Sequence, residues 1–369
     1  MRIVFVTREG YESAGARVRC YNFARMLNDA GVDASVFSFA DRLGAKCGEK
    51  EFEMTLWQKL WLNIKALGVL GKERKETIYI LQRVNYHVLA PLLLVVLKRG
   101  RYILDCDDWD IRENPVYHFG FYPSSKMEYL TRLVARKALL CIVASSYLQD
   151  YFKSFNARVH LIPTGVDHDV FVPCVKADLS KVVFSWIGTA YHQPMGENLQ
   201  FILDCFFEIA DQDERVILSL AGEGRYFEIM KGIVAGHRHR DKVVLSDWIL
   251  SDQIPGHLAG IDVGLLPLIQ KTKFNQAKSP TKLFEYMSMG KPVVASRIGE
   301  AARSVRHGQT GFLAENKTDF ISCMRLLVDN ASLRREMGRA ARDEVVFRYS
   351  LKSLGTQLVD IVKIAGAST

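Results

Sequence analysis

Short apolar segments alternate with amphipathic helical segments along the first 165 residues of the chain. The opening segment IVFVT is followed by a polar stretch and then by Arg17 to Ala30, where apolar residues recur at helical spacing. Further apolar segments follow, with helical stretches at Val88 to Leu97 and near Lys126 to Ala138 among them: DASVFSF, TIYIL, YILD, LLCIVAS and VHLIP. Apolar strands that alternate with helices are typical of a parallel sheet covered on both faces. We therefore expect a doubly wound α/β domain.

A turn-rich segment, residues 162–173, interrupts this pattern, and the alternation starts again at Val182. The second series contains these apolar segments: VVFSWIG, VILSLAGEG, DKVVLSDWI, IDVGLLPL, KPVVAS and TGFLAE. The chain has 369 residues, about two and a half times the roughly 150 that one domain typically uses. We predict two doubly wound domains, 1–165 and 166–349, and a C-terminal helix, 350–369, that packs back on the first.

The composition argues against several classes of protein. The longest uncharged apolar run, Val88 to Leu97, has ten residues, about half of what a membrane-spanning helix needs. The chain opens without the apolar core of a signal peptide. Seven scattered cysteines without a Cys-x-x-Cys pair favour reduced thiols over a disulfide framework or a zinc site. We expect a cytoplasmic protein.

Positive charge is concentrated in the first half of the chain. Residues 1–165 hold 24 Lys and Arg against 17 Asp and Glu, and residues 57–101 alone hold nine against two. Apolar residues and lysines interleave there as in an interfacial helix: Trp57, Leu60, Trp61 and Ile64 with Lys59 and Lys65. An anionic membrane surface fits this pattern, and packing of the tryptophans in the core is the alternative. Nucleic acid is not expected as a partner, because no recognition motif is present.

The segment SPTKLFEYMSMGKPVVAS, residues 279–296, combines a predicted helix with a buried strand. Pro280 suits the first helical turn and Ser279 can cap it. Lys278 and Lys282 lie at the start of this helix, where the helix dipole disfavours cations, and a bound anion would explain both. Glu285, on the same helix, can accept hydrogen bonds from ligand hydroxyls, with a solvated ion pair as the alternative.

The longer stretch FNQAKSPTKLFEYMSMGKPVVASRIGE resembles the nucleotide-sugar signature of glycosyltransferase family 4, a large group of retaining GT-B enzymes also called glycosyl transferases group 1. Other landmarks occur in the family's order: SAGARVR, ILDCDDWD, VASSYL, LIPTGVDHDVF, WIGT, LAGEG and IDVGLLPL. The resemblance implies a GT-B fold, in which two Rossmann-like domains face each other across a cleft.

This resemblance also implies an activity. The enzyme would move a sugar from a UDP-, GDP- or ADP-sugar to a glycan or lipid-linked acceptor, in cell-envelope or polysaccharide biosynthesis. Lysines and helix termini would neutralise the diphosphate, so we expect neither a cofactor nor a metal. Such an enzyme would work in the cytoplasm, in part on the inner face of the membrane. A GT-B-like sugar-nucleotide epimerase and a non-catalytic sugar-nucleotide-binding protein are the alternatives.

Individual donor contacts are carried over from the resemblance. It assigns Glu285 to the ribose hydroxyls and Lys278, Ser279 and Lys282 to the diphosphate. Gly188 and Thr189 would allow close backbone approach at the start of the second domain.

The chain departs from the family at two places. The family's earlier sugar-binding Glu is replaced by Ala277, with Asn275 or Gln276 as substitutes, and GTAYHQPMGENL lacks the usual Arg and Lys. Positive charge must therefore come from elsewhere, and Lys278 and Lys282 are the nearest candidates.

The first domain supplies the remaining candidates. Gly15 would direct backbone N–H groups toward the reacting centre, with Arg17 or Arg19 on the helix that follows. Asp107 or Asp108 would bind acceptor hydroxyls, the alternative being that they cap the next helix.

Two further readings concern the same region. His118 would reach the sugar, the alternative being a packed or exposed histidine with no catalytic role. Asp105 and Asp107 form an Asp-x-Asp pair, which in GT-A transferases holds a divalent metal, so a metal-dependent enzyme is the rival interpretation.

Overall fold

The computed structural model describes residues 1–109, 111, 117–118, 122–123, 128–174 and 180–367. Its strands are β1 (Arg2–Thr7), β2 (Asp33–Ser38), β3 (Ile78–Gln82), β4 (Arg101–Cys106), β5 (Tyr117–His118), β6 (Tyr122–Pro123), β7 (Cys141–Val143), β8 (Val159–Leu161), β9 (Val182–Thr189), β10 (Val216–Glu223), β11 (Val243–Ser246), β12 (Val263–Leu266), β13 (Val293–Ser296) and β14 (Gly311–Ala314).

The α-helices are α1 (Ala14–Ala16), α2 (Phe23–Asp29), α3 (Phe39–Leu43), α4 (Leu56–Leu70), α5 (Leu89–Lys98), α6 (Glu128–Lys137), α7 (Ser146–Lys153), α8 (Gln193–Ala210), α9 (Arg225–Ala235), α10 (Ile254–Ala259), α11 (Lys273–Ala277), α12 (Thr281–Ser288), α13 (Ala301–Ser304), α14 (Lys317–Asp329), α15 (Ala331–Arg348) and α16 (Leu351–Ala367). No helix in the described part of the chain is both long and apolar enough to cross a membrane.

The chain forms two compact units, each built on one sheet. Unit 1 comprises Met1–Gly165, Ala277–Ser279 and Leu351–Thr369, and unit 2 comprises Val166–Gln276 and Pro280–Ser350. The sheet of unit 1 has the strand order β2-β1-β3-β4-β7-β8, and that of unit 2 has the order β11-β10-β9-β12-β13-β14. Neighbouring strands are parallel throughout both sheets. The predicted α/β class with two doubly wound sheets is confirmed.

Strand β1 shows why these segments read as continuous apolar runs. Ile3 and Phe5 pack in one apolar cluster with residues of α2 and α16, whereas Val4 and Val6 pack in another with residues of α4 to α7. Successive side chains of a strand point to opposite faces, so a sheet covered on both faces needs apolar residues at every position. Unit 1 is thus a three-layer structure.

The first helical segment differs from the prediction in its start and its geometry. It begins at Ala14 rather than Arg17, and a π-helical stretch, Arg17–Asn22, separates α1 from α2. Such π-helical turns are frequent at functional sites. The segment follows the loop after β1, at the carboxyl edge of the sheet, where ligands bind in doubly wound folds.

Candidate active site

Asp107 and Arg83 form a buried ion pair at the carboxyl edge of the unit 1 sheet. Arg83 donates from Nε to Asp107 Oδ1 at 2.6 Å and from Nη2 to Oδ2 at 2.9 Å. Gln82 Nε2 donates to the same Oδ2 at 3.2 Å. Burial by itself would raise the pKa of the Asp107 carboxyl, but the charge and hydrogen bonds of Arg83 lower that pKa to about 2. Asp107 is therefore an ionised carboxylate with both oxygens held by protein groups.

Asp108 lies in a different environment. It is half-buried, and its Oδ1 accepts a hydrogen bond from the Trp109 N–H at 2.8 Å. Burial raises the pKa of the Asp108 carboxyl, although the charges of Arg83 and Lys278 oppose this effect. The pKa values of the two adjacent carboxyls thus shift in opposite directions. Neighbouring acids with separated pKa values commonly take separate roles, one as a fixed anion and the other as a proton-exchanging group.

Each carboxylate of the Asp-x-Asp pair, Asp105 and Asp107, forms an ion pair with an arginine. Arg19 is fully buried and donates from Nε to Asp105 Oδ2 at 3.1 Å, with a second, closer bond from Nη2 to Oδ1. Its Nη1 also donates to the carbonyl of Pro163 at 3.3 Å. Arg19 therefore stabilises the core of unit 1 rather than a reacting centre. Because Asp105 binds Arg19 and Asp107 binds Arg83, the two carboxylates are not arranged to share a metal ion.

The other candidates of unit 1 lie around the loop after β1. A Cβ added to Gly15 would lie 3.0 Å from Arg83 Nη2 and 3.2 Å from Asp107 Oδ2, so the glycine allows the helix start to lie against the ion pair. Arg17 is half-buried and donates to the carbonyl of Glu12 at 3.2 Å. His118 belongs to the short strand β5, and its side chain lies outside the described residues.

In unit 2 the structure brings Gly188 and Lys282 together. The Lys282 ammonium lies 4.9 Å from the centroid of the Trp186 ring, and a Cβ added to Gly188 would overlap its Nζ. A cation thus stands at the end of β9, where the sequence lacks the Arg and Lys usual in the family. The sequence alone does not reveal Trp186 as a site residue, because an aromatic residue in an apolar strand segment is typical of the core.

Glu285 lies one helical turn beyond Lys282 on α12 and is only 6% exposed. The predicted cap of this helix is wrong: α12 begins at Thr281, and Pro280 precedes it without a side-chain cap. Ser279 Oγ instead accepts a hydrogen bond from the Thr164 N–H at 2.9 Å. This bond lies within unit 1, to which Ala277–Ser279 belong. The side chain of Ser279 is thereby held away from the role of a helix cap.

The residues before α12 include Ala277 and the two predicted substitutes for the family's Glu, Asn275 and Gln276. Ala277 is fully buried in the apolar cluster of unit 1 that also contains Val4. Asn275 is 2% exposed and donates from Nδ2 to the carbonyl of Gln270 at 2.7 Å. Its Oδ1 is buried and accepts no hydrogen bond from the described residues. Of the two proposed substitutes, Asn275 therefore offers a buried acceptor, whereas Gln276 is half-buried.

Helices α4 and α5 of unit 1 expose an unusual number of apolar side chains. Trp57 and Trp61 of α4 are 77% and 57% exposed, so packing of these tryptophans in the core is wrong. The same surface contains further exposed apolar residues of α4 and of α5, which packs beside it: Ile64, Val69, Leu89, Leu93, Val96 and Leu97. Its exposed basic residues are Lys65, Lys72, Arg74, Lys75 and Arg99. We call this set the α4–α5 face.

Residues 181–330, which contain Gly188, Lys282 and Glu285, match the family of glycosyl transferases group 1. These residues form a group 1 glycosyl transferase domain. The resemblance predicted from the sequence is thus confirmed, and the Lys282 and Glu285 pair lies inside the matched domain.

Curated relatives extend the similarity beyond this group 1 domain. The chain is 24% identical over 238 residues to a GDP-mannose-dependent alpha-(1-6)-phosphatidylinositol monomannoside mannosyltransferase of Mycobacterium tuberculosis, covering 59% of this chain and 60% of the relative. It is 26% identical over 163 residues to the N-acetyl-alpha-D-glucosaminyl L-malate synthase of Bacillus anthracis, covering 44% and 40%. The chain spans less than two thirds of the length of the curated relatives it matches.

Solved structures share the whole fold. HepE of Anabaena, in complex with UDP and glucose, matches with a TM-score of 0.71 at 14% identity, over 99% of this chain and 100% of that chain. A sucrose-phosphate synthase from Thermosynechococcus elongatus matches with a TM-score of 0.76 at 13% identity, over 100% of both chains. At these identities the likeness concerns the fold alone, and it confirms the predicted GT-B class.

Proposed function

We propose that this group 1 glycosyl transferase is a retaining enzyme that moves a sugar from a nucleoside-diphosphate sugar to a glycan or lipid-linked acceptor. The observation that carries the proposal is the position of the Lys282 ammonium against Gly188, one helical turn from the buried Glu285. A cation at a strand end suits a diphosphate, and a buried carboxylate suits ribose hydroxyls. Cell-envelope or polysaccharide biosynthesis is the process in which we place the reaction.

The chemistry that these residues supply is electrostatic. Negative charge develops on the diphosphate as it leaves, and Lys282, with Lys278, stabilises that charge. The departing phosphate oxygen takes the proton of the acceptor hydroxyl, which attacks on the same face of the sugar, so no protein nucleophile is required. We assign Asp108 rather than Asp107 to the acceptor hydroxyls, because Asp107 already binds Arg83 and Gln82 through both oxygens.

The comparisons support the acceptor class and the donor class. The mycobacterial relative is named for a GDP-mannose donor and a phosphatidylinositol monomannoside acceptor, and the HepE structure contains UDP and glucose. We infer a nucleotide-sugar donor and an acceptor that is a glycan or is linked to a lipid. No metal or other cofactor enters the proposal, since lysines supply the positive charge.

We further propose that the α4–α5 face docks on an anionic membrane, which would place the enzyme on the inner face of the cytoplasmic membrane. Exposed tryptophans beside basic residues are typical of interfacial helices. The usable charge is smaller than the sequence count, because Arg83 is paired with Asp107 and Lys98 Nζ donates to the carbonyls of Gly71 and Glu73. The exposed cations of the face remain to attract anionic lipid.

The test is a donor screen with the full chain. UDP-, GDP- and ADP-sugars are incubated with and without lipid extract, and both free sugar and glycosylated product are measured. We expect slow hydrolysis of one donor alone and transfer with a retained anomeric configuration when acceptor is present, as read by NMR. Conversion of the donor to an epimer would replace the proposal with the epimerase, and nucleotide binding without any turnover would replace it with the non-catalytic binder.

A further inference from the structure

We propose that Arg83 is a positioning residue that fixes the loop between β1 and α1, and with it Gly15, against the carboxyl edge of the unit 1 sheet. This inference rests on the proposed function only in giving that loop a role near the reacting centre. The arrangement itself is a chain of alternating charges that crosses three strand ends.

The charge chain runs through Glu51, Arg8, Glu9, Arg83 and Asp107. Arg8 pairs with both Glu51 and Glu9, the latter at 3.1 Å. Arg83 Nη1 lies 3.6 Å from Glu9 Oε1, and its other two nitrogens bind Asp107. All five side chains are at most 17% exposed. Buried charges are costly unless paired, so removing Arg83 leaves Asp107 without its ion-pair partner and leaves Glu9 paired with Arg8 alone.

The backbone of Arg83 is held in an uncommon conformation. Its φ is 58°, in the left-handed region that residues other than glycine rarely adopt. The Arg83 N–H donates to the carbonyl of Asp105 at 2.7 Å, which ties the end of β3 to β4. Such backbone persists only where the surroundings over-determine it, and it clusters at functional sites. The conformation directs the guanidinium to Glu9 and Asp107 together.

Glu9 connects Arg83 to the loop between β1 and α1. Ser13 Oγ donates to Glu9 Oε2 at 2.5 Å, and although Ser13 occupies the N-cap position of α1, its side chain does not cap the helix. The Ser13 hydroxyl therefore binds Glu9 of the charge chain instead of capping the helix. Gly15 lies directly over the same groups, because an added Cβ would be 3.0 Å from Arg83 Nη2 and 3.5 Å from Glu9 Oε2.

Four variants test the proposal: Arg83→Met, Arg83→Lys, the double variant Arg83→Met with Asp107→Asn, and Arg2→Met. Arg2 is the matched control, since it pairs with Asp33 and Glu73 at the opposite edge of the same sheet. The first measurement is hydrogen exchange of residues 8–17, which does not depend on activity. We expect at least tenfold faster exchange there in Arg83→Met and parent-like exchange in Arg2→Met.

The second measurement is the pH profile of kcat and KM with the donor that the parent uses. The charged groups that surround Asp107 are Arg83, Arg19, Glu9, Asp105 and Asp108. Losing Arg83 removes the main charge that holds down the pKa of Asp107, so Arg83→Met should lose kcat by tenfold or more and gain a new acid limb. The donor KM should change less than threefold. The double variant should lose the acid limb, and Arg83→Lys should restore part of kcat.

Two outcomes overturn the proposal. Exchange of residues 8–17 that is unchanged in Arg83→Met would show that Arg83 does not hold the loop. A fall in thermal stability equal to that of Arg2→Met, with parent-like kcat and pH profile, would show a purely structural ion pair. A parent that lacks turnover with any donor overturns the proposed function instead, and the exchange experiment still decides the role of Arg83.

Discussion

In the proposed donor site, Lys282 of α12 would bind the diphosphate of the nucleotide and Glu285 would bind its ribose. The lysine contributes a positive charge beside the Trp186 ring, and the glutamate contributes a carboxylate that is almost fully buried. A ligand hydroxyl that binds such a carboxylate forms a charge-assisted hydrogen bond, which is stronger than one between neutral groups. Binding measurements with different ligands can therefore distinguish the role of Lys282 from that of Glu285.

We expect Glu285→Ala to weaken nucleoside diphosphate binding by about 1.5 to 3 kcal/mol, the scale of a hydrogen bond to a charged group. Isothermal titration calorimetry with UDP, GDP and ADP measures this loss of affinity. The matched control is Asp262→Ala, which removes a carboxylate that accepts the Val183 N–H near the start of β9, away from the candidate site. Parent-like affinity in a folded Glu285→Ala protein would contradict the ribose assignment.

Lys282→Met should reduce diphosphate affinity about 10- to 100-fold, with little effect on the free nucleoside, because only the phosphates interact with the lost charge. Gly188→Ala should act in the same direction, since its Cβ would displace the Lys282 ammonium. The control is Gly232→Ala on α9, where an added Cβ meets nothing within 4 Å. Equal losses for nucleoside and diphosphate in Lys282→Met would argue against a phosphate contact.

At the scale of elements, α4 and α5 differ from the other helices on their side of the unit 1 sheet in exposing many apolar residues. Helix α4 buries Leu62, Ala66 and Leu70 against the core and turns its tryptophans outward. The basic residues that follow α4 and α5 lie toward the amino edge of the sheet, since both helices lead into strands that start there. Exposed apolar groups on α4 and α5 are thus followed by exposed basic groups at the C-terminal ends of the same two helices.

Reversal of Lys59 and Lys65 to Glu should reduce sedimentation with anionic vesicles, because each basic residue near an anionic leaflet contributes about 1 kcal/mol within a Debye length of roughly 8 Å. Lys65 should account for most of the effect, since Lys59 is half-buried with its Nζ 5.8 Å from the Tyr86 ring centroid. Nucleotide affinity should stay unchanged, because Lys282 and Glu285 lie in unit 2 and Lys278 does not belong to the α4–α5 face.

The matched control reverses Lys352 and Lys363, which are exposed on α16 at the other face of the same sheet. Equal sedimentation of the Lys59 and Lys65 variant and the parent would remove the α4–α5 face from the proposal. A parent that does not bind anionic vesicles at low salt would favour an acceptor that is a soluble glycan.

The secondary-structure elements differ in how well the sequence predicts them. Strands were predictable because burial on both faces leaves a continuous apolar run, as in Val182–Thr189. The start at Ala14 and the π-helical turn after it were not predictable, because apolar spacing does not record the contacts that Glu9, just before this start, makes with Ser13 and with the distant Arg83. The role of Ser279 was missed for the same reason, because its partner Thr164 lies 115 residues away.

The candidate site residues also fall into those that a local motif predicts and those that only the fold reveals. Lys282 and Glu285 were predictable from a local motif, whose spacing a helix preserves. Arg83 was counted in the sequence only as one of many basic residues, and its pairing with Asp107 depends on parallel strands that are adjacent in space. Local spacing reveals residues on one element, whereas a site assembled from several strand ends requires the fold.

At the scale of the whole molecule, the contacts of the acidic residues bear on whether the reaction needs a metal ion. Asp105 is paired with Arg19 and Asp107 with Arg83, and the described residues contain no group of three or more His, Cys, Asp or Glu that could hold a metal ion. In the proposed mechanism, Lys278 and Lys282 supply the positive charge that balances the donor diphosphate. We therefore expect transferase activity to persist after treatment with EDTA.

The measurement is the transfer rate after dialysis against EDTA, followed by addition of Mg²⁺ or Mn²⁺. The rate should change less than twofold at each step, because a side-chain cation needs no exchangeable ion to stabilise the leaving group. Asp105→Asn serves to identify the source of any metal effect. Activity that is lost in EDTA, restored by Mn²⁺ and no longer restored in Asp105→Asn would mean that the aspartates release their arginines to bind metal, and the lysine-based mechanism would then be wrong.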